Sequence, residues 1–413
     1  MVSMHNVMKR LILSGFGRDA AGSRLQGGIL EMLFSEEQDA VRDMAMRFAR
    51  EVLQPGYLAR EQRGALDRDL IRELGKLGFL GTDLPEDLGG LGADSIMVGL
   101  VAEALGYGDF SISQVPVNVS LNAAILRRHA PRPIVEEWVP QMVRGEKIMS
   151  ICLTEPRGGS DAANIQLRAR KRGSDYVLTG EKTSITFATE ADIHLVFART
   201  GPADSGARGI SAFFIPEGVA GIATTGFDDV GCRQISRGSV FFEDVVVPAE
   251  FMLGDEGGGF SQVMQGFDYS RALIALECCG AAQASLDEAW AYARTREAFG
   301  RPIGQFQNVS GPLADHDTQV AAARQLAWHT LQLREAGRDH TAEAAMCKWL
   351  GPKVAFDAIH QALLTEGHYG YVTDSAHQQR MRDVLGLQIG DGTAGVMKQI
   401  IARSRIGRAA IQY

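Results

Sequence analysis

From about residue 35 to residue 144, apolar residues recur at helical spacing: Val41, Met44, Met46, Phe48 and Val52 form one run, and Leu70, Leu74, Leu77 and Leu80 another. That period lines apolar side chains along one stripe, so the section is predicted to be a bundle of amphipathic helices. Ser35-Glu36-Glu37-Gln38 reads as an N-cap followed by early acidic residues that opens the first helix. Residues 84–92, with Pro85 and three glycines, are predicted to interrupt the bundle as a turn. Over residues 150–254 the period becomes two. Tyr176-Val177-Leu178 is expected to end at Thr179-Gly180, and Ile210 to Ile215 to stop at Pro216; Ser239 to Phe242 and Val245 to Val247 follow, the latter closed by Pro248. Short β-rich runs with frequent turn signals indicate a β-barrel or sandwich module. From Gly259 onward helix returns, with apolar-periodic stretches over residues 272–292, 319–333, 342–364 and 396–410. Asp268-Tyr269-Ser270-Arg271 is expected to open the first of these after Gly266. The predicted fold class is therefore mainly α with a β middle domain: an N-terminal helical domain at 32–149, a β domain at 150–256 and a C-terminal helical bundle at 257–413.

A chain of 413 residues exceeds what one hydrophobic core usually supports, which agrees with several packed units. The net charge of −8 argues against a general affinity for nucleic acid or an anionic membrane, since both demand clustered cations. The last helix carries Lys398, Arg403, Arg405 and Arg408, a weak case for DNA association set against an acidic whole. No apolar run approaches the ~20 residues that span a bilayer. Five cysteines, Cys152, Cys232, Cys278, Cys279 and Cys347, form no Cys-x-x-Cys pair, which suits a reducing compartment and a cytoplasmic location. Residues 1–31 hold Lys9, Arg10, Arg18 and Arg24 against Asp19 and Glu31 without a clean signal-peptide pattern; they are read as an extension ahead of Met32, expected to be disordered.

Three stretches carry candidate chemistry. In Thr154-Glu155-Pro156-Arg157-Gly158-Gly159-Ser160-Asp161 the paired glycines let backbone approach a ligand, and two hydroxyls stand beside exposed N–H groups, an edge suited to a flavin ring or a phosphate. Alone, Gly-Gly-Ser-Asp is an ordinary loop. Arg296-Glu297-Ala298-Phe299-Gly300 is, by itself, a solvated helix end. Gly390-Asp391-Gly392-Thr393-Ala394 sets an acidic side chain on a glycine-flanked turn, and Asp-Gly is a common turn dipeptide. No metal site is expected.

Together, in this order and over this distance, the three stretches resemble the acyl-CoA dehydrogenase family, and the resemblance covers about residues 33–413. It implies FAD as cofactor, an acyl-CoA substrate, an electron-transfer flavoprotein as partner, and a homo-oligomer, dimer or tetramer, because the cofactor site needs two subunits. It implies that Leu153, Thr154, Gly159 and Ser160 hold the isoalloxazine, with Ser160 also touching CoA, and that Ser184 and Thr186 lie by the flavin. Arg296, Phe299 and Gln307 would reach the pyrophosphate and adenine of a neighbouring subunit's FAD; Arg supplies a charged fork for phosphate and an aromatic ring covers apolar cofactor surface. Gly367 and Thr393 complete the implied cofactor set. Asp268 and Arg271 would contact pantetheine and CoA, and Gly390 and Gly392 would border the substrate. Met381-Arg382-Asp383 ahead of Gly390-Asp391-Gly392-Thr393 is similar to the family's Met-Arg-Asp and Glu-Gly-Thr block, which identifies Asp391 as the base that takes the α-proton.

This chain departs from the family at several of those positions. The usual Tyr-Glu-Gly-Thr reads Gly390-Asp391-Gly392-Thr393, which withdraws the carboxylate by one C–C bond, roughly 1.5 Å, and empties space beside it. A ring-bearing or α-branched acyl group, such as cyclohexanecarboxyl, would fill that volume. Ser184 stands where the family frequently has Trp, and His368 and Leu364 replace a usual Gly and Gln. Ser270 occupies the spot where a subset of the family carries its base, and serine cannot do that work at neutral pH. The alternatives are an acyl-carrier-protein-linked dehydrogenase or a flavin oxidase of the same fold, and, from another class, a DNA-associated flavoprotein.

Overall fold

The computed structural model describes residues 34–407, so the expected extension at 1–31 and Arg408 lie outside the described residues. The N-terminal section is helical: α1 (Glu36–Phe48) continues through a π-helical turn at Ala49–Leu53 into α2 (Gln54–Arg63), followed by α3 (Arg68–Lys76), α4 (Ser95–Gly108), α5 (Phe110–His129) and α6 (Arg132–Val143). The Ser35 signal works as a reciprocal capping box: Gln38 N–H donates to Ser35 Oγ at 3.2 Å and Ser35 N–H to Gln38 Oε1 at 3.0 Å.

The middle section forms strands β1 (Met149–Cys152), β2 (Arg168–Arg172), β3 (Asp175–Ile185), β4 (Ile193–Arg199), β5 (Ile210–Pro216), β6 (Ile222–Gly226), β7 (Gly238–Pro248) and β8 (Met252–Leu253). They make one eight-stranded sheet in the order β6-β7-β3-β2-β4-β5-β8, with β1 parallel to β4. Two strand ends read from the sequence need correction. The strand begun at Tyr176 does not stop at Thr179-Gly180; it runs on to Ile185 through a register shift between Leu178 and Gly180. Gly180 has φ +146°, and a Cβ there would lie 2.9 Å from Leu167 Cγ, so glycine marks a close backbone crossing within the strand. Likewise Ser239 to Val247 belongs to one strand, bent at Asp244 with φ +48°.

The last section comprises α7 (Gly259–Thr295), a two-stranded hairpin of β9 (Glu297–Ala298) and β10 (Arg301–Pro302), α8 (Gln307–Glu335), α9 (Thr341–Glu366), α10 (Ala376–Gly386) and α11 (Ala394–Ile406). Here Asp268 to Arg271 does not open a helix: α7 starts at Gly259 and passes straight through Gly266. A Cβ on Gly266 would come 2.6 Å from Leu121 Cδ1, so this glycine serves helix packing rather than a helix start.

Glycines set how closely α7 meets its neighbours. Cβ atoms built on Gly106 of α4 and Gly280 of α7 would lie 2.3 Å from Glu277 O and 2.0 Å from Glu103 O, and one on Gly351 of α9 would lie 2.8 Å from Ala275 Cα. The Met381-Arg382-Asp383 stretch of α10 ties all three sections together. Arg382 grips Glu61 with two hydrogen bonds of 2.6 and 2.8 Å, and Asp383 accepts from Tyr57 Oη at 2.6 Å and from the backbone N–H of Cys232 at 2.5 Å. Burial pushes the Asp383 carboxyl up to about 7, opposed by those two hydrogen bonds.

Gly280→Ala should cost about 1–3 kcal/mol, because the added methyl meets backbone that cannot rotate away. Its melting temperature should fall clearly below that of wild type, and an unchanged midpoint would show that α4 and α7 can separate without cost.

Candidate active site

Leu153 is buried at the end of β1, and the 154–161 loop leaves the sheet from there. The loop is anchored by Glu155, whose carboxylate accepts from the backbone N–H groups of Gln166 (2.6 Å) and Leu167 (2.9 Å) and from Lys182 Nζ (2.8 Å). Lys182, itself fully buried, also donates to Leu153 O at 2.9 Å; burial lowers its ammonium to about 8 against the opposing pull of Glu155. The buried ion pair thus has its hydrogen bonds satisfied and leaves the rest of the loop outward, with Gly159 and Ser160 exposed. A Cβ on Gly159 would meet nothing nearer than Thr154 Cγ2 at 3.7 Å, so packing within the chain does not demand glycine there. Thr183 N–H donates to Thr154 O at 2.9 Å, which sets the loop beside the end of β3. Ser184, exposed with φ +58°, and half-buried Thr186 share that edge. The result is an open rim of hydroxyls and unencumbered backbone that can receive a flat polar ring system.

The carboxylate stands elsewhere on the chain, in the turn between α10 and α11. Asp391 has φ +51° and Gly392 φ +103°, a backbone conformation that favours glycine at 392, where a Cβ would also press on the flexible end of Met397, 2.4 Å from its Cε. A Cβ on Gly390 would make ordinary van der Waals contact with Gly386 O at 3.6 Å and Leu387 Cδ2 at 3.9 Å, so packing within the chain does not demand glycine there. Thr393 caps α11, accepting from Val396 N–H at 3.4 Å. The backbone N–H of Asp391 donates to no acceptor among the described residues and remains available. Arg271 is buried, hydrogen-bonded through Nη1 to Asp268 at 3.0 Å, while its Nε has no partner. Asp268 spends its second oxygen on Thr341 Oγ1 at 2.7 Å. Burial raises the Asp391 carboxyl above the usual range, and the positive charges of Lys348 and Arg271 pull it back.

The sequence reading missed Lys348 and Glu277. Lys348, 1% exposed on α9, donates to the carbonyls of Leu387 and Gly392 on either side of Asp391. Glu277, also 1% exposed, faces Ser113 at 3.1 Å, and burial raises its carboxyl well above the ordinary range. Their signal was present: each is a lone charge inside a run of small and apolar residues, Ala-Leu-Glu277-Cys-Cys and Ala-Met-Cys-Lys348-Trp.

Arg296, Phe299 and Gln307 lie on the far side of the β9–β10 hairpin region, all exposed; Phe299 reaches 95% and adopts φ +51°. No side-chain hydrogen bond or ion pair among the described residues joins Arg296 to the Thr154 loop or to Asp391. Gly367, with φ +63°, has nothing within 4 Å of a built Cβ. Around it Leu364, Tyr369, Tyr371 and Val372 are exposed apolar side chains. A guanidinium with no hydrogen bond or ion pair among the described residues, and a Phe299 ring 95% exposed apart from an edge contact with Phe306 at 6.1 Å, fit a ligand bearing phosphate and an aromatic base.

One further cluster resembles a nucleophilic triad and is not one. Ser150 Oγ lies 2.7 Å from His194 Nδ1, with Cys152 Sγ at 3.9 Å. All three are buried; burial lowers His194 to about 4 and raises Cys152 to about 12, so the group stays neutral and unreactive.

Comparison with known proteins places this geometry. The chain matches the N-terminal domain of acyl-CoA dehydrogenases over residues 35–146, the middle domain over 150–245 and the C-terminal domain over 257–406. A probable acyl-CoA dehydrogenase of Bacillus subtilis is 34% identical over 372 residues, covering 89% of this chain and 98% of that protein. The butyryl-CoA dehydrogenase of Megasphaera elsdenii superimposes with a TM-score of 0.88 at 32% identity, covering 91% of this chain and 100% of the other. PigA, solved with FAD and proline, superimposes with a TM-score of 0.88 at 26% identity, covering 92% and 100%. Among the described residues no helix is long and apolar enough to cross a membrane. The chain belongs to the acyl-CoA dehydrogenase family, FAD-dependent oxidoreductases acting on the CH–CH bond of acyl-CoA thioesters.

Proposed function

We propose that the acyl group is ring-bearing or branched at Cα, with cyclohexanecarboxyl-CoA or an unsaturated relative as its chemical type, and that Asp391 is the base. The observation carrying this reading is the Gly390-Asp391-Gly392 turn, where a short carboxylate follows a residue that bears no side chain and whose packing does not require glycine. Asp391 removes the α-proton, and its own N–H donates to the thioester carbonyl, which makes that proton acidic enough to leave. Burial raises the carboxyl above its ordinary value, which strengthens it as a base, while the positive charges of Lys348 and Arg271 oppose that rise. FAD, when bound, supplies the acceptor for the β-hydrogen as hydride. Leu153, Thr154, Gly159, Ser160, Ser184, Thr186 and Thr393 are assigned to the flavin side, and Ser160, Asp268, Arg271, Gly390 and Gly392 to the substrate. Asp268, with both oxygens engaged, acts by holding Arg271.

A homo-oligomer follows from the exposed Arg296, Phe299, Gln307 and Gly367, which complete a neighbouring subunit's cofactor site. An electron-transfer flavoprotein is the assigned acceptor. Exposed Ser184, in place of a shielding indole, favours direct reaction with oxygen as the second reading; rapid peroxide formation without a carrier separates the two.

Asp391→Asn should slow flavin reduction by roughly 10²–10⁴-fold while FAD stays bound. An acid whose folded pKa is raised loses stability as pH rises from its unfolded value through the folded one, so the Asn variant should melt no lower than wild type at pH 8. Wild-type reduction rates in this variant would place the base elsewhere.

A dye-reduction screen of straight, branched and cyclic thioesters should favour the cyclic or branched ones. Asp391→Glu combined with Gly390→Tyr should turn that preference toward straight chains, because the ring refills the space and the longer acid again reaches an unbranched Cα. A wild-type preference for straight chains would remove the pocket reading without touching the dehydrogenase assignment.

Arg296→Ala should lower FAD retention through gel filtration. Undiminished retention would show that Arg296 does not reach the cofactor.

A further inference from the structure

We infer that Lys348 is a positioning residue: from the middle of α9 its ammonium clamps the two ends of the turn that presents Asp391 and sets a fixed positive charge behind that carboxylate. The inference rests on Asp391 as the base. The carbonyl of Leu387, at the C-terminal cap of α10, is one that a helix end leaves without an intrahelical partner; that of Gly392 lies in the turn just ahead of the N-cap of α11. Lys348 Nζ takes both, the one at Gly392 at 3.3 Å. The two contacts bracket residues 388–391, a segment whose left-handed residue would otherwise swing with the turn.

The charged and titratable groups around the clamp come from three elements. α7 contributes Arg271, Glu277 and Cys278, the turn contributes Asp391, and Lys348 itself stands on α9. The hydroxyl of Ser113 on α5 is placed to donate to Phe110 O at 2.8 Å and to Glu277 Oε2 at 3.1 Å, and burial raises the Glu277 carboxyl well above its ordinary range. Burial lowers the Lys348 ammonium, with Asp391 the leading opposing influence, and Lys348 is the leading influence lowering Asp391.

The FAD-loaded enzyme separates geometry from charge with two substitutions. Lys348→Gln keeps a donor of similar reach without the charge; Lys348→Arg keeps the charge. The readout is the pH dependence of flavin reduction by cyclohexanecarboxyl-CoA, or by butyryl-CoA if only the straight thioester reduces the flavin. Losing the cation makes the Asp391 carboxyl harder to ionise, so the acidic limb of the Gln variant should move up by about 1 pH unit, and Arg should return it toward wild type. An unmoved limb in the Gln variant overturns the inference.

A readout independent of turnover is thermal melting at pH 8. Lys348→Met strands the carboxylate in a low-dielectric site, and Asp391→Asn removes that carboxylate. The Met substitution should therefore lower the midpoint more in the wild-type background than in the Asn background, and equal losses in both overturn the inference. If Asp391→Asn reduces flavin at the wild-type rate, the base assignment fails. If Asp391→Asn is slow while the Lys348→Gln limb stays fixed, only the role of Lys348 fails.

Discussion

The near-contact of α7 with α4 and α9 is the constraint on which the site depends. Backbone meets backbone at Gly106, Gly280 and Gly351, where no side chain fits, so the helices lie closer than ordinary packing permits. That spacing excludes water from the strip of α7 between Arg271 and Cys279, and α9 delivers Lys348 into the same strip. A looser bundle would let solvent reach Glu277 and Lys348, and both would revert to ordinary surface charges. The electrostatics at Asp391 are therefore consequences of backbone spacing several residues away.

Burying that many ionisable groups is expensive, and the ways the cost is met differ between sections. In the β domain both carboxylate oxygens of Glu155 accept hydrogen bonds and Lys182 donates two, so the pair serves as a rigid anchor for the 154–161 loop. Around the base turn the satisfaction is incomplete: Arg271 Nε is unpartnered, and the Asp391 carboxyl has two cations within electrostatic reach but no hydrogen bond of its own among the described residues. Unsatisfied buried polar groups of this kind are costly in a structural ion pair, whereas a bound ligand could complete them, which fits the binding role proposed for this turn. The Ser150–His194–Cys152 cluster supplies the contrast, since it is complete within itself and neutral.

Much of the fold was legible because it is periodic. The switch from helical to alternating spacing near Ser150 and back near Gly259 follows from which faces are buried. Glycine misled the reading in both directions. Gly180 lies inside a strand and Gly266 inside a helix, since each answers to a neighbour distant in sequence, Leu167 and Leu121, that local pattern cannot reveal. At the site, Asp391 and the 154–161 loop were readable only through their resemblance to a family, because Asp-Gly and Gly-Gly-Ser are ordinary turn strings. Lys348 and Glu277 escaped because periodicity treats a charge in an apolar run as an interruption, whereas here each interruption marks a buried group turned toward the turn.

With Asp391 as the proposed base, one bond shorter than the family's usual Glu, the scaffold has more to do. A glutamate can search for the α-proton with an extra torsion, whereas Asp391 has only χ1 and χ2, so its reach is fixed by where the backbone stands. Backbone placement is therefore worth more here than with the longer acid, and two adjacent glycines make the turn intrinsically loose. The chain resolves that conflict from outside the turn: Lys348 fixes the carbonyls flanking it, Thr393 caps the helix that leaves it, and Met397 closes over Gly392. Gly390 carries no side chain, and a Cβ there would meet only ordinary van der Waals contacts. A substrate bulky at Cα that packed against Gly390 would steady the turn from the ligand side, so its shape would complete the geometry that the shorter carboxylate cannot set alone.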